Sequence, residues 1–329
     1  MATVLYIATG IGLFIVGQAD GKWEPIRHAL ENRPLTSVAV SRRLLLVGTS
    51  DGLLRSPDGG ASWEKVDPGI PAGHVRWLTS DADDPDLVLA GTEPAGILRS
   101  ADGGLTWDRN ADVDRLRDAG GWYLPYSPGA GCVRGFALVA GEAGVQRIYA
   151  AVEVGGLLVS DDRAGSWRLV DGSDGNPDPS RPLGSMIHPD VHSIAVHPDA
   201  ADLLTAPTGG GLYRSADGGR TWQRIYRCYI RAAWVDPQDP GHIIAGPADG
   251  VSRNGRIEAT HDGGKTWSAP APGMQAPWKQ HMVERFFPSH GSLYAILSNG
   301  ELWVTPLERQ DWRRILHEIG PVEAMTDGG

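Results

Sequence analysis

Several things are scarce in this 329-residue chain. It has two cysteines, Cys132 and Cys228, too few for a disulfide framework. No apolar run reaches the length of a membrane-spanning helix, so a membrane partner is not expected. Basic residues are in deficit, with 30 Lys and Arg against 40 Asp and Glu and a formal charge of −10. Phosphate backbones repel such a chain, which argues against nucleic acid. No stretch carries an amphipathic helical period over ten residues. Glycine is plentiful at 44 residues and proline at 24, but neither follows a three-residue period, which excludes collagen. The apolar N-terminal segment MATVLYIATGIGLFIVGQ has no basic start and is interrupted by glycine and polar residues. It reads as part of the fold rather than as a signal peptide, and a cytoplasmic location is expected.

What the chain does have is a repeat. The octapeptide SPDGGASW at 56–63 recurs as SADGGLTW at 100–107, SDDRAGSW at 160–167, SADGGRTW at 215–222 and THDGGKTW at 260–267, with degenerate copies ADGKW at 19–23 and ERQDW at 308–312. The copy at 160–167 replaces the two central glycines by Arg163 and Ala164. Ahead of each octapeptide, short β-rich runs such as LLLVG, LVLAG, IYAAV and HIIAG alternate with turn clusters, the pattern of short antiparallel strands. A four-stranded unit repeated along the chain reads as a β-propeller. Within the octapeptide, the Asp accepts backbone N–H groups in a tight turn, Gly supplies positive φ, the Ser or Thr hydroxyl adds a local bond, and the Trp buries a large surface.

These octapeptides resemble the Asp-box (BNR) repeats of sialidases, sortilin-type receptors and photosystem II assembly propellers. The resemblance covers essentially the whole chain and implies that the box is structural, lies on the turn before the outer strand of each blade, and faces away from the ligand side. Six full units fit residues 36–66, 75–108, 132–169, 191–224, 229–268 and 282–315. The N-terminus supplies three strands of a further unit, and PVEAM at 321–325 fits its missing first strand. The expectation is a single all-β domain over 1–329, a seven-bladed propeller closed by both termini through pairing of 321–325 with the strand near 3–9. Six blades, as in sialidases, is the alternative.

Function in a propeller sits at one end of the channel, on loops held by rigid blades. The residue after the first apolar position of each innermost strand reads Ser37, Arg76, Arg134, His192, Arg231, Glu284 and Glu323. A purely structural repeat position should hold similar, bland residues, and this one holds mostly charges. Turns opening on the same end add Glu93, Glu153, Thr208 and Asp249. Long connections add Trp122, Tyr123 and Tyr126 from 108–131, His188 and Asp190 from 169–190, and Trp278, Lys279 and His281 from 268–282. Arginine forks recognise carboxylates and phosphates. The expected substrate-binding set is therefore Arg76, Arg134, Arg231, Glu93, Tyr126, His188, His281 and Trp122. His192, Glu284, Glu323 and Glu153 are the expected acid–base groups. Their partner is expected to be a small anionic molecule, carboxylate-bearing or sugar-like, acted on by a hydrolase or lyase. Two alternatives stand beside this: a non-catalytic propeller that holds a protein or peptide, and a ring of charges that only pair with one another. Sialidases grip a substrate carboxylate with three arginines, which Arg76, Arg134 and Arg231 match in number. The family's Arg-Ile-Pro motif is absent, however, and no Tyr–Glu nucleophile pair can be assigned. His188, Asp190 and His192 straddle the start of a strand rather than sharing a helix face, so no metal and no cofactor is expected. Neither cysteine lies in a recognisable motif.

Overall fold

The structure, a computed structural model, describes residues 4–19, 22–42, 44–66, 73–81, 83–124, 131–141, 144–268, 274–309 and 311–328. The chain folds as a seven-bladed β-propeller of antiparallel sheets. Its contacts group into two compact units, one of residues 1–93, 97–109 and 287–329, the other of residues 94–96 and 110–286.

In the first unit, blade one joins both ends of the chain in the order Val322–Asp327, Val4–Thr9, Gly12–Ala19 and Lys22–Ala29. The register places Ile7 opposite Met325 and Ala8 opposite Ala324. Val322, Ala324 and Met325 are buried, so the closing strand brings apolar surface as well as main-chain bonds. Blade two is Ser37–Ser41, Leu44–Thr49, Gly52–Ser56 and Glu64–Val66, and blade three is His74–Ser80, Val88–Glu93, Gly96–Ser100 and Asp108–Arg109. The strand Val283–Ser289 opens blade seven, which continues through Ser292–Leu297, Leu302–Pro306 and Arg313–Ile315.

The second unit contains blade four (Val133–Gly141, Gly144–Val152, Gly156–Ser160, Arg168–Leu169) and blade five (Ala195–His197, Ala200–Thr208, Gly211–Ser215, Gln223–Tyr226). Among the described residues blade six has three strands, Tyr229–Val235, Ile243–Ala248 and Glu258–Thr260, with a bridge between Ala259 and Ser268 at its outer edge. Middle strands such as Ile243–Ala248 are buried along their whole length. That explains their continuous apolar runs, because both faces are covered. Between blades four and five, Tyr149, Leu157, Val170, Ile187, Leu204 and Trp222 pack into one cluster.

The octapeptides fold alike. In the copy at 215–222, Ser215 Oγ donates to Asp217 Oδ1 at 2.7 Å, and Thr221 donates its N–H to Oδ1 at 2.9 Å and its hydroxyl to Oδ2 at 2.7 Å. The Trp222 indole N–H closes the turn on the Gly219 carbonyl at 3.1 Å. Asp58, Asp102, Asp162 and Asp262 repeat the arrangement. Gly218 and Gly219 take φ of 71° and 90°, and in the copy without these glycines Arg163 and Ala164 adopt 55° and 65°. The turn thus imposes a left-handed backbone even where the side chain opposes it.

One expectation fails. Ala111–Gly120 is an α-helix, capped by Asn110, whose side chain accepts from the N–H groups of Asp112 and Val113, and ended by Gly121 at φ 64°. Its single buried residue is Val113, so the segment has no apolar stripe to read. Its signals are instead the caps and acidic Asp112 and Asp114 in the first turn.

Two outcomes follow. Truncation after Gly320 removes the strand Val322–Asp327 and should leave a chain that aggregates or loses at least about 10 °C in Tm, the equivalent of a few kcal/mol. An unchanged melting curve would reject the closure. The Thr221 hydroxyl and N–H hold the Asp217 pKa down to about 2 from an ordinary 3.8. A depressed carboxyl stabilises the fold above its unfolded pKa, and that contribution disappears as pH falls from about 4 towards 2. Asp217→Ala should therefore cost about 1–2 kcal/mol at pH 7 and less at pH 2–3, as read by urea denaturation at both values.

Candidate functional site

The first strands of blades four and six, the start of blade seven's first strand and the segment just ahead of blade five's first strand lie in the second unit and carry a common pattern. Val133, Val191, Ile230 and Val283 each turn fully into the core, so the next residue projects to the opposite side. Those next residues are Arg134, His192, Arg231 and Glu284. The arginines share a further feature. Strand register shifts between Val133 and Gly135 and between Ile230 and Ala233, and in the first unit between Val75 and Trp77. Arg134, Arg231 and Arg76 thus all sit on β-bulges, which re-aim a side chain while the strand continues.

In the second unit these groups converge on carboxylates. Arg134 donates from one terminal nitrogen to Glu153 Oε2 at 3.1 Å and from the other to Glu284 Oε2 at 3.3 Å. Arg231 donates to Glu284 Oε1 at 2.5 Å. Glu284 is thus shared by both arginines, and Glu153 also accepts from the Cys132 thiol at 3.1 Å. Burial works against both guanidinium charges, but Glu153 and Glu284 hold Arg134 well above its ordinary pKa and Glu284 holds Arg231 above it. Arg231 Nε also donates to the Tyr229 hydroxyl at 3.1 Å, which lies 3.3 Å from His192 Nε2. Burial pushes the Tyr229 phenol up to about 12, so it keeps its proton. Asp190 Oδ1 is 3.2 Å from the same His192 nitrogen. Burial alone would raise the Asp190 carboxyl, but His192 holds it below its ordinary value.

The structure therefore brings together Arg134, Arg231, Glu153, Glu284 and His192 from the expected set. It adds Tyr229, which the sequence reading did not single out, and gives Asp190 a direct contact. Arg76 and Glu93 belong to the first unit and pair with each other, Arg76 Nε donating to Glu93 Oε2 at 2.6 Å. Glu323 is exposed, also in the first unit. Trp122 is buried, and its indole donates to the Gly175 carbonyl at 2.7 Å, so it pins two long connections together rather than facing solvent. The His281 carbonyl accepts from Gly255 N–H at 3.0 Å. Tyr126 lies outside the described residues.

His188 lines a cleft of about 920 Å³ in the second unit, with Tyr229 and Arg181, Arg224, Arg227 and Arg256. Gly209 and Gly210 make this wall possible. A Cβ on Gly209 would stand 2.2 Å from Asp190 Oδ2, and one on Gly210 2.4 Å from the His188 ring. Arg181 pairs with Asp174, and Arg256 with Glu258 and Asp249. Arg224 and Arg227 are exposed, and among the described residues neither has a carboxylate partner. Neither was expected from the sequence. Arg224 stands within the last strand of blade five and Arg227 in the connection that follows, where no repeat position marks them.

The chain is similar to known β-propellers. It superposes on an ancestral GH74 enzyme with a TM-score of 0.61 at 15% identity, over 94% of this chain and 40% of that one. YCF48 bound to D1 peptide gives 0.58 at 15% identity over 97% and 94%, and YCF48 from Cyanidioschyzon merolae gives 0.59 at 18% over 94% and 96%. At these identities the likeness shows the fold alone. No family model matches the chain, and no curated protein matches it.

Because one carboxylate serves two arginines, its loss should be costly. Glu284→Gln should destabilise the protein by about 2–3 kcal/mol, less than the ~3–5 of a fully buried pair, since Arg134, Glu284 and Arg231 keep 21%, 18% and 13% side-chain exposure. Urea denaturation reads this directly, and an unchanged midpoint would show that the arginines do not depend on Glu284.

Proposed function

We propose that the protein is a non-catalytic binding propeller that holds an acidic peptide segment in the cleft between blades five and six. One observation carries this reading. Arg224 and Arg227 face that cleft without carboxylate partners, whereas Arg134 and Arg231 are each held by carboxylates of their own chain. A guanidinium with no internal carboxylate, among the described residues, is the one available to a ligand carboxylate. The lining includes Tyr213 and Arg224 of blade five and Tyr229 and Arg256 of or beside blade six, which offers a bound segment contacts on both sides. A propeller of matching length, YCF48, is described with a peptide bound, which fits the same use of the fold. A hydrolase or lyase built on Glu153 or Glu284 would need that group as acid or base while it holds an arginine.

The test is fluorescence anisotropy with a labelled Asp/Glu-rich peptide and a neutral peptide of equal length. The acidic peptide should bind and the neutral one should not. Arg224→Ala with Arg227→Ala should weaken binding at least tenfold, about 1.4 kcal/mol, without lowering Tm, since both side chains are exposed. Affinity should also fall with added salt. Equal affinity of the double variant and the parent would sink the proposal.

A further inference from the structure

The contact between His192 and Asp190 poses a chemical question that the ion pairs around it do not answer. His192 Nδ1 lies 2.7 Å from the Ile230 carbonyl oxygen. A carbonyl only accepts, so Nδ1 carries a hydrogen, and in the neutral ring Nε2 presents a lone pair. That lone pair faces Asp190 Oδ1 at 3.2 Å. The Tyr229 hydroxyl can donate to it, but a carboxylate cannot. Asp190 Oδ1 is itself buried without a hydrogen-bond donor among the described residues. Either a hydrogen on Nε2 or a bound cation must lie between these two atoms.

Glu153 completes the group. One ligand atom from each of Glu153, Asp190 and His192 lies within 4.8 Å of the others. Glu153 and His192 are 3% and 2% exposed. Among the convergent groups, the carboxylates of Glu153, Asp190 and Glu284 outnumber the guanidinium groups of Arg134 and Arg231. Two ligand atoms about 2.1 Å from a tetrahedral metal stand about 3.4 Å apart, close to the 3.2 Å between His192 and Asp190. The hydrogen bond from Nδ1 to a main-chain carbonyl is the support that a metal-ligating histidine ordinarily has, fixing its tautomer and ring plane. Gly209, with no room for a Cβ, holds Asp190 in place from behind.

We propose that Glu153, Asp190 and His192 bind one divalent cation of borderline character, zinc being the representative. The mixed imidazole and carboxylate set selects it over magnesium and calcium, which favour all-oxygen shells. The assignment does not rest on the peptide reading, although Gly209 and Tyr229 border both the site and the cleft. It departs from the sequence expectation of no metal, because the third ligand comes from blade four, some forty residues from the HPDVH segment.

Isothermal titration of the chelator-treated full chain with zinc chloride at pH 7.5 tests the site, with magnesium and calcium chloride as comparisons. Zinc should bind at one site per chain and raise Tm, while magnesium and calcium should do neither at equal concentration. Asp190→Asn should weaken zinc binding at least tenfold and abolish the Tm rise. Glu153→Gln should act in the same direction, but it also removes a partner of Arg134. Asp190→Asn therefore decides the matter, since Asp190 pairs with no arginine. Cobalt(II) offers a second readout, its visible bands appearing with the parent chain and not with Asp190→Asn. No zinc heat, or zinc binding that persists unchanged in Asp190→Asn, would overturn the assignment and leave a protonated His192 as the counter-charge of Asp190.

Discussion

The carboxylate of one aspartate per octapeptide governs this fold. In a seven-residue span, Asp217 accepts the Ser215 hydroxyl, the Thr221 N–H and the Thr221 hydroxyl. Those bonds fix the chain reversal before the outer strand and deliver Trp222 to the core between blades four and five. Each link alone is worth about 1 kcal/mol, but the turn repeats. The backbone conformation it demands is strict enough that Arg163 and Ala164 accept positive φ where the other copies place glycine. Strand pairing then needs little further instruction, since middle strands are apolar on both faces and register is set by the turn.

Once the turns fix the blades, the inner strands are free to vary, and there the chain places its charges. In blades four and six an apolar residue anchors the first strand in the core, and a bulge turns the following arginine aside. The bulge supplies directional freedom, because a regular strand would hold Arg134 and Arg231 perpendicular to their sheets. Glu284 can then bridge both guanidinium groups, and like charges that would repel instead share one carboxylate. Buried ion pairs of this kind seldom add net stability over apolar packing. Their effect here is to hold the first strands of three blades to a common point.

Blade number, unit boundaries and terminal closure were legible because they rest on turn chemistry, which is local and recurs. The charged position on the inner strands was legible for the same reason, through its place after a buried Val or Ile. The pairing was not, since Arg76 with Glu93 and Arg134 with Glu153 and Glu284 depend on bulges that leave no residue signature. Tyr229 escaped notice because it precedes the apolar anchor Ile230 instead of following it. Arg224 and Arg227 escaped because they stand outside the repeat position. The helix Ala111–Gly120 escaped because one buried valine makes no period, although its Asn110 cap and Gly121 stop are readable in the sequence. Trp122 misled in the other direction: an aromatic in a long connection reads as ligand-facing, and here it is the pin that orders the connection.

The division of charge between the cluster and the cleft has a physical logic. In the cluster, low solvent exposure makes an unmatched charge expensive, so Arg134, Arg231, Glu153 and Glu284 compensate one another within about 3 Å. In the cleft, solvent lowers that cost, and Arg224 and Arg227 can stand without carboxylate partners. The chain as a whole carries −10, so an acidic segment approaching it meets repulsion over most of the surface. Salt confines that repulsion to about 8–10 Å, which leaves local charge to decide close contact. On the proposed reading, an acidic segment would be turned away except where cations without carboxylate partners cluster. The negative background would then act as a selectivity filter, with Arg224 and Arg227 setting the place of binding.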